Sequence, residues 1–296
     1  MSPDPSRVAS APRLLDVAGS RTAVFTYGDT GAPTILAVHG FRGTHFGLEP
    51  IARELAGRGY RVLVPDLPGC GVSTPLPGTH DADGYAAWLV ALCRELGEPF
   101  APEILLGHSF GSVVVAAAVA RGAVHRGVVL LNPISALPLD ASRRAAVAVT
   151  RGYYGLARVL PARPARALIG ARLVAIAMSE LMTVSRDPRM RRFVRQEHLR
   201  QADSFADRDV VLQTFGSSVR DTVLDHAHAL TAPTLVVGAE RDDLAPADSQ
   251  RRLVARLPRA TLRILGGVGH LVHYEAVTEA ADTVAGWWPA GASAPL

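Results

Sequence analysis

Short apolar runs of strand length recur along this chain, and segments with helical spacing separate them. A strand that is apolar on successive residues is typical of a parallel sheet with helices on both faces. The alternation of such strands with helices therefore predicts a doubly wound, mostly parallel sheet of the α/β class. The predicted strands are residues 13–17, 22–27, 34–40, 61–66, 103–109, 127–133, 234–239 and 261–267.

The rhythm breaks over residues 134–218, which have helical patterns, no clear strand and many Ala, Arg and Leu residues. We predict that these residues form a helical cap inserted after the sixth strand. The core is predicted at residues 1–133 and 219–290, and residues 291–296 are expected to form a disordered tail. Because open α/β sheets bind ligands at the carboxyl ends of their strands, we expect the cap to cover such a site as a lid.

The composition is that of a globular protein with modest charge. Apolar residues make up 48% and charged residues 20% of the chain, and all 31 basic residues are Arg, which gives a formal net charge of +4. This charge is too small and too scattered to predict a nucleic-acid partner. Cys70 and Cys93 are too few for a disulfide framework and are expected to be small buried hydrophobes. We expect neither a metal nor a cofactor.

No secretory signal or membrane span is predicted. The first residues lack an apolar h-region, and the longest apolar run, residues 113–120, is shorter than the roughly 18 residues that a span needs. We therefore expect a cytoplasmic protein.

The strongest local motif is Gly107-His108-Ser109-Phe110-Gly111. It matches the G-x-S-x-G nucleophile elbow, with a predicted strand before it and a predicted helix after it. A serine at such a tight turn needs small neighbours two residues away on each side. The helix that begins at Phe110 directs its amides and its positive dipole end towards the hydroxyl. We predict Ser109 as the nucleophile and the N–H of Phe110 as one oxyanion donor.

A second motif, HGFRG at residues 39–43, directly follows the third predicted strand. An oxyanion hole needs a backbone donor from this loop in addition to the one after the nucleophile. Phe41 is in position to provide it, with its ring as a wall of the pocket. Gly40 allows a close backbone approach, and His39 is expected to brace the loop by hydrogen bonding.

Ten histidines are candidates for the base that activates the serine. His270 follows the last predicted strand in a glycine-rich loop, which could carry an imidazole over the sheet edge, so it is the predicted base. His273 lies within the next predicted helix and is expected to pack or to face the lid. His108 neighbours the nucleophile, but its side chain should point away from the hydroxyl and support the pocket.

The acid that orients the base is predicted at Asp242, in the loop GAERDDLAP after a strand, with Leu244 packing that loop down. The adjacent Asp243 is the alternative, interpreted as an exposed carboxylate near the start of the next helix. The strand before the cap ends at Asn132, which is uncharged and cannot supply this acid.

The chain resembles the α/β-hydrolase superfamily in the segments HGFRG, DLPGCGVS, GHSFG, GAERDDLAP and GVGHLVHYE. The resemblance covers nearly everything outside the cap, and the order Ser109, Asp242, His270 is the order of this fold. It looks most like the subgroup of small esterases, carbon–carbon bond hydrolases and cofactor-free haloperoxidases. Dehalogenases and epoxide hydrolases carry Asp at the elbow, so the serine argues against both. Residues 66–73 match a supporting loop, whereas Ala239 stands where relatives commonly have Gly.

The resemblance and the predicted triad imply hydrolysis of a carboxylic ester, or a similar acyl bond, of a small or lipid-like molecule. Alternatives are a carbon–carbon bond hydrolase, a haloperoxidase-like enzyme, or a small-molecule receptor on the same fold. Residues 140–215 contain 14 Arg and seven acidic residues. One interpretation is that these arginines form the solvated faces of short helices. The alternative is a positively charged lid that receives an anionic or amphiphilic substrate. We expect a hydrophobic or amphiphilic substrate and leave the oligomeric state open.

Overall fold

A computed structural model describes residues 11–97, 101–136 and 141–288, without the side chains of residues 141–147. Eight strands form one sheet in the order β1-β2-β4-β3-β5-β6-β7-β8. The strands β1 to β8 are Arg13–Val17, Ser20–Tyr27, Thr34–Val38, Arg61–Pro65, Ile104–His108, Gly127–Leu131, Thr234–Ala239 and Ala260–Leu265. The pairs β1–β2 and β2–β4 are antiparallel and the remaining pairs are parallel. The predicted doubly wound, mostly parallel sheet is confirmed.

Helices that precede β6 or follow β7 cover both faces of this sheet. Helices α1 to α11 are His45–Gly57, Ala82–Leu96, Phe110–Ala120, Ala141–Val159, Ala162–Ile169, Arg172–Met182, Pro188–Gln201, Arg208–Ser218, Ala247–Val254, Val272–Glu275 and Val277–Trp287. A 3-10 helix, Val223–Ala229, precedes β7. The predicted helix that contains His273 is divided into two helices, because Ala276 has φ −137° and leaves the helical conformation.

Successive residues of the central strands enter two different cores, which is why these strands are apolar throughout. In β3, Ile35 and Ala37 face α1 and α11, whereas Leu36 and Val38 face α2 and α3. All five residues of this strand are buried. Because β3 to β8 pair in parallel, their carboxyl ends meet at one edge of the sheet, where the loops that follow them converge.

The hairpin between β1 and β2 explains why β2 begins earlier than predicted. Its turn has only two residues, Ala18 at φ 50° and Gly19 at φ 80°. Positive φ at both turn residues is the geometry that matches the twist of an antiparallel hairpin. Ser20 is therefore already paired with Val17 in the sheet.

Helices α4 to α8 follow β6 and are called the helical segment, residues 141–218. The segment docks on the loop at residues 66–73 through backbone hydrogen bonds. The N–H of Gly71 donates to the carbonyl of Ser204 over 3.0 Å, and the N–H of Ala206 donates to the carbonyl of Gly69 over 2.8 Å. The predicted tail, residues 291–296, lies outside the described residues.

Cys70 and Cys93 are both buried. Burial raises the pKa of each thiol to about 12, so both stay protonated near neutral pH. No helix among the described residues is both long enough and apolar enough to cross a membrane.

Candidate active site

Ser109 lies at the turn between β5 and α3 in a backbone conformation that few side chains adopt, with φ 53° and ψ −121°. Its N–H donates to the carbonyl of Leu131 over 3.0 Å, which fixes the turn to the neighbouring strand. A Cβ at Gly107 would lie 2.5 Å from the carbonyl oxygen of Gly111, and a Cβ at Gly111 would lie 2.2 Å from that of Val38. The two glycines of the motif are thus required by space around the serine.

Three of the predicted site residues meet at the carboxyl edge of the sheet. Nε2 of His270 lies 2.8 Å from Oγ of Ser109, and Nδ1 of the same ring lies 2.8 Å from Oδ2 of Asp242. The imidazole and the carboxylate are buried, whereas the serine is partly exposed. A carboxylate can only accept, so Nδ1 carries the proton and Nε2 is left to accept the serine hydroxyl.

The Asp242 carboxylate is held by several donors. Its Oδ1 accepts from the backbone N–H groups of Leu244 and Ala245, each over 2.8 Å. Burial raises the pKa of the carboxyl group, but the attraction of His270 and the hydrogen bonds outweigh burial and lower the pKa to about 2. The carboxyl group of Asp242 is therefore ionised near neutral pH.

The neighbouring carboxylate, Asp243, is exposed. The structure brings Asp242 to the imidazole of His270, but the expected packing of Leu244 is wrong, because that side chain is 59% exposed. The loop is held by its backbone amides, which donate to the carboxylate of Asp242. Hydrogen bonding, and not the expected apolar packing, therefore fixes the conformation of this loop.

Asn132 is a site residue that sequence reasoning passed over as uncharged. It is fully buried directly after β6 and donates from Nδ2 to Oδ2 of Asp242 over 2.7 Å. Its φ of 45° lies in the left-handed region, which Asn tolerates better than most residues. Its N–H donates to the carbonyl of Val237 over 2.7 Å, so strand pairing fixes its position. An Asn at the end of a buried strand was the available signal.

The loop after β3 lies directly against the elbow. A Cβ at Gly40 would lie 3.1 Å from Cβ of Ser109, so this position allows a close approach of the two backbones. His39 braces the loop from within: its Nε2 accepts from the N–H of Leu67 over 3.0 Å, and its Nδ1 lies 2.9 Å from the carbonyl of Gly40. Burial lowers the pKa of His39, which keeps the ring in the neutral form that this pattern needs.

The two predicted oxyanion donors belong to the two loops that meet at the serine, one directly after Ser109 and one directly after Gly40. Helix α3 begins at Phe110, so its N–H is one of the first-turn amides that have no intrahelical acceptor. Phe41 follows the close approach of Gly40, and its ring packs against Tyr154 and Phe215, with ring centroids 5.9 Å away in each case.

A buried group of histidines surrounds the base. The ring of His108 lies 4.0 Å from that of His273 and 5.5 Å from that of His270. Burial, with the nearby His270, lowers the pKa of His108 to about 3. Burial, together with the nearby His108, lowers the pKa of His273 well below its ordinary value. Both rings are therefore neutral, and neither contacts the serine hydroxyl through a hydrogen bond.

The helical segment contacts both loops of the site. Arg42 donates from its guanidinium to the carbonyls of Ile169, over 2.8 Å, and Ala202, over 2.7 Å. On the other side, a Cβ at Gly269 would lie only 2.5 Å from a methyl group of Val184. The loop that carries the base and the loop that carries Phe41 are thus each packed against the helical segment. The described residues contain no group of three or more His, Cys, Asp or Glu placed to hold a metal ion.

Comparison with known proteins identifies the family. Residues 35–285 match the profile described as the alpha/beta hydrolase family. The chain belongs to this alpha/beta hydrolase family.

This alpha/beta hydrolase is 35% identical over 109 residues to epoxide hydrolase A of Mycobacterium tuberculosis. The aligned stretch covers 36% of this chain and only 33% of that protein. An esterase from Thermogutta terrifontis superposes with a TM-score of 0.72 at 22% identity, over 95% of this chain and 97% of the other. A bromoperoxidase from Bacillus anthracis superposes with a TM-score of 0.76 at 14% identity, over 95% and 99%. At these identities the solved structures establish the α/β-hydrolase fold for this chain.

Proposed function

We propose that this hydrolase cleaves carboxylic esters through an acyl-enzyme on Ser109, with His270 as base and Asp242 as the orienting acid. The observation that carries the proposal is the unbroken hydrogen-bonded path of two 2.8 Å contacts from the serine hydroxyl through the imidazole to the carboxylate. A serine is a weak nucleophile alone, and this arrangement is the one that activates it.

In the proposed reaction, Oγ of Ser109 attacks the ester carbonyl carbon while its proton passes to Nε2 of His270. The ionised Asp242 stabilises the imidazolium that forms. The tetrahedral intermediate collapses when the ring gives this proton to the leaving alkoxide, which departs as an alcohol. Water then attacks the acyl-enzyme with the imidazole as base, and the acid product and free serine are released.

The oxyanion of each tetrahedral intermediate needs fixed donors. The first-turn N–H of Phe110 is suited to this role, because the start of α3 also places its positive dipole end beside Ser109. The N–H of Phe41 is the second proposed donor, from the loop that Gly40 brings against the elbow. His39 and His108 support this geometry and take no proton in the reaction.

The elbow residue favours ester cleavage over epoxide opening, although the curated relative is an epoxide hydrolase. The resemblance to the superfamily implies an aspartate nucleophile in epoxide hydrolases, and this chain has Ser109 there. We also propose that α4 to α8 act as a cap over the site, since they pack against the loops of Phe41 and of His270.

Hydrolysis of p-nitrophenyl butyrate, with labelling by a fluorophosphonate, tests the proposal. The wild type should hydrolyse the ester and be labelled, and Ser109→Ala should lose both while keeping its circular dichroism spectrum. Ser218→Ala, a partly exposed serine in α8, is the matched control and should behave as wild type.

Three other results would contradict ester hydrolysis. Labelling without turnover of any acyl chain length would identify a receptor on this fold. Labelling together with cleavage of carbon–carbon bonds but not of esters would identify a carbon–carbon bond hydrolase. Labelling together with activity only in a peroxidation assay would identify a haloperoxidase-like enzyme.

A further inference from the structure

A cleft of about 640 Å³ opens between α4 and α8, beside the loop that precedes α2. Its lining includes four arginines, Arg151, Arg158, Arg208 and Arg220. Ser109 does not line it. The cleft therefore does not include the proposed catalytic serine.

One face of α4 forms a wall of the cleft. Arg151, Tyr154, Gly155 and Arg158 follow the i, i+3, i+4, i+7 spacing, so they lie in one stripe along the helix. Nothing lies within 4 Å of a Cβ built at Gly155, so the middle of the stripe is open. Two guanidinium groups thus flank an open, partly aromatic surface.

The other charges of the cleft are already engaged. Asp81 caps the first turn of α2, and Asp209 pairs with Arg208, with 3.3 Å between the carboxylate and Nε. Arg220 pairs with Asp221 over 2.8 Å. Arg208 and Arg220 are thus each paired with a neighbouring carboxylate, and Asp81 is held by the hydrogen bonds of its cap.

Arg151 and Arg158 differ from these groups. Among the described residues, no carboxylate forms an ion pair with either of them, and both side chains are exposed at the cleft. A guanidinium offers a planar fork of donors that fits a carboxylate or a phosphate. Two such groups therefore lie on one helix face of the cleft without a carboxylate partner among the described residues.

The aromatic residues that line the cleft contact the loop that lies against Ser109. Tyr154 and Phe215 both line the cleft, with ring centroids 4.3 Å apart, and both rings also contact the ring of Phe41. Phe41 carries the proposed oxyanion donor beside Ser109. A packed group of aromatic rings therefore connects the wall of the cleft to the residue that carries this donor.

We propose that this cleft binds the anionic end of an amphiphilic ester, whose apolar chain lies along the aromatic rings of Tyr154 and Phe215 towards Ser109. The proposal rests on the ester hydrolysis proposed above and adds a substrate class to it. The anionic end is a carboxylate or a phosphate, since both match the guanidinium fork.

Two p-nitrophenyl esters with acyl chains of equal length test this class: the neutral octanoate and the half-ester of octanedioic acid, which ends in a carboxylate. Wild type should show the lower KM for the charged ester. The double variant Arg151→Gln/Arg158→Gln should raise that KM about tenfold, because each exposed pair contributes only a few-fold. Its KM for the octanoate and its kcat should stay unchanged.

The matched control is the double variant Arg163→Gln/Arg172→Gln, which removes the same charge from exposed positions of the helical segment outside the cleft. It should keep the wild-type KM for both esters. Equal KM changes in the two double variants would reduce the effect to general electrostatics and overturn the proposal, as would no change in either.

Calorimetric binding of octanedioate and of monooctyl phosphate gives a readout that needs no turnover. Both titrations use wild type and the two double variants, and the tighter ligand identifies the anionic group. Weaker binding only in Arg151→Gln/Arg158→Gln supports the anion site, even if neither ester is hydrolysed. Such a lack of hydrolysis would contradict the proposed function but not the anion site. Hydrolysis of both esters with unaltered binding in every variant would defeat the cleft proposal alone.

Discussion

Asn132 donates from Nδ2 to Oδ2 of Asp242 over 2.7 Å, the same carboxylate oxygen that lies 2.8 Å from Nδ1 of His270. The other oxygen accepts from two backbone N–H groups of the loop that follows. The carboxylate therefore cannot rotate without losing several hydrogen bonds at once, in a buried setting where each unmade bond is costly. Asn132 thus holds the carboxylate of Asp242 and, through it, the imidazole of His270.

Removal of the Asn132 side chain should weaken catalysis without disturbing the backbone. Glycine adopts a φ of 45° without strain, so Asn132→Gly removes the hydrogen bond and the buried side chain while the backbone keeps its conformation. We expect kcat for p-nitrophenyl butyrate to fall about 10- to 100-fold with little change in KM, since hydrogen bonds to charged groups contribute about 1.5–3 kcal/mol. Steady-state kinetics measure both constants.

The variant Asn132→Asp separates positioning from packing, because it preserves shape and adds a carboxyl group. Protonated, that group can still donate to Asp242, but ionised it repels the acid. Its activity relative to wild type should therefore decline as pH rises. Wild-type kcat in both variants across the pH range would show that Asn132 does not position the acid.

The two adjacent aspartates should respond very differently to neutralisation. In Asp242→Asn, the new amide would face two donors, Nδ1–H of His270 and Nδ2–H of Asn132, so the imidazole is driven to the wrong tautomer. In a serine protease a change of this kind lowered turnover by about ten-thousandfold. Asp243→Asn, at an exposed carboxylate, should change turnover less than about threefold.

Both aspartate variants are measured on one ester, with folding checked by thermal unfolding. If Asp243→Asn is inactive and Asp242→Asn is active, the orienting acid is Asp243 and the prediction is wrong by one residue. If both variants are active, neither carboxylate is the orienting acid.

Gly111, the second glycine of the elbow motif, should be among the residues whose replacement destabilises the fold most. A Cβ at Gly111 would lie 2.2 Å from the carbonyl oxygen of Val38, which belongs to a central strand and cannot move aside. We expect Gly111→Ala to lower the free energy of unfolding by about 3 kcal/mol or more, as other severe overpacking does. Gly286→Ala, also within a helix but with open space around it, should be neutral or stabilising by up to about 1 kcal/mol. Urea denaturation measures both, and equal effects would contradict the steric argument.

The sheet and the elbow were predictable because their signals are local. Each parallel strand is a continuous apolar run, and each site loop directly follows one, so the shared carboxyl edge brings Ser109, Asp242 and His270 to one place. The predicted strands agree with the observed ones to within two residues at each end.

The contribution of Asn132 was not predictable, because it arises from contacts between distant parts of the chain. Pairing of β6 with β7 brings it to Asp242, a residue 110 positions away. The cleft was hidden for the same reason. Counting arginines indicated a charged cap, but only the packing of α4 on α8 decides that Arg151 and Arg158 lack a carboxylate partner among the described residues.

Stability should decline in acid because the folded protein buries neutral histidines. Burial lowers the pKa of His108 to about 3, against about 6.5 for an unfolded chain. Between these values the unfolded state binds more protons, so the free energy of unfolding falls as pH decreases from 6.5 towards 3. One such group contributes at most about 1.4 kcal/mol per pH unit.

In urea denaturation, the free energy of unfolding of His108→Gln should therefore fall less steeply than that of wild type between pH 6.5 and 4. His228→Gln, at an exposed ring, should match the wild-type slope. Identical slopes in all three proteins would mean that His108 is not held neutral by the fold.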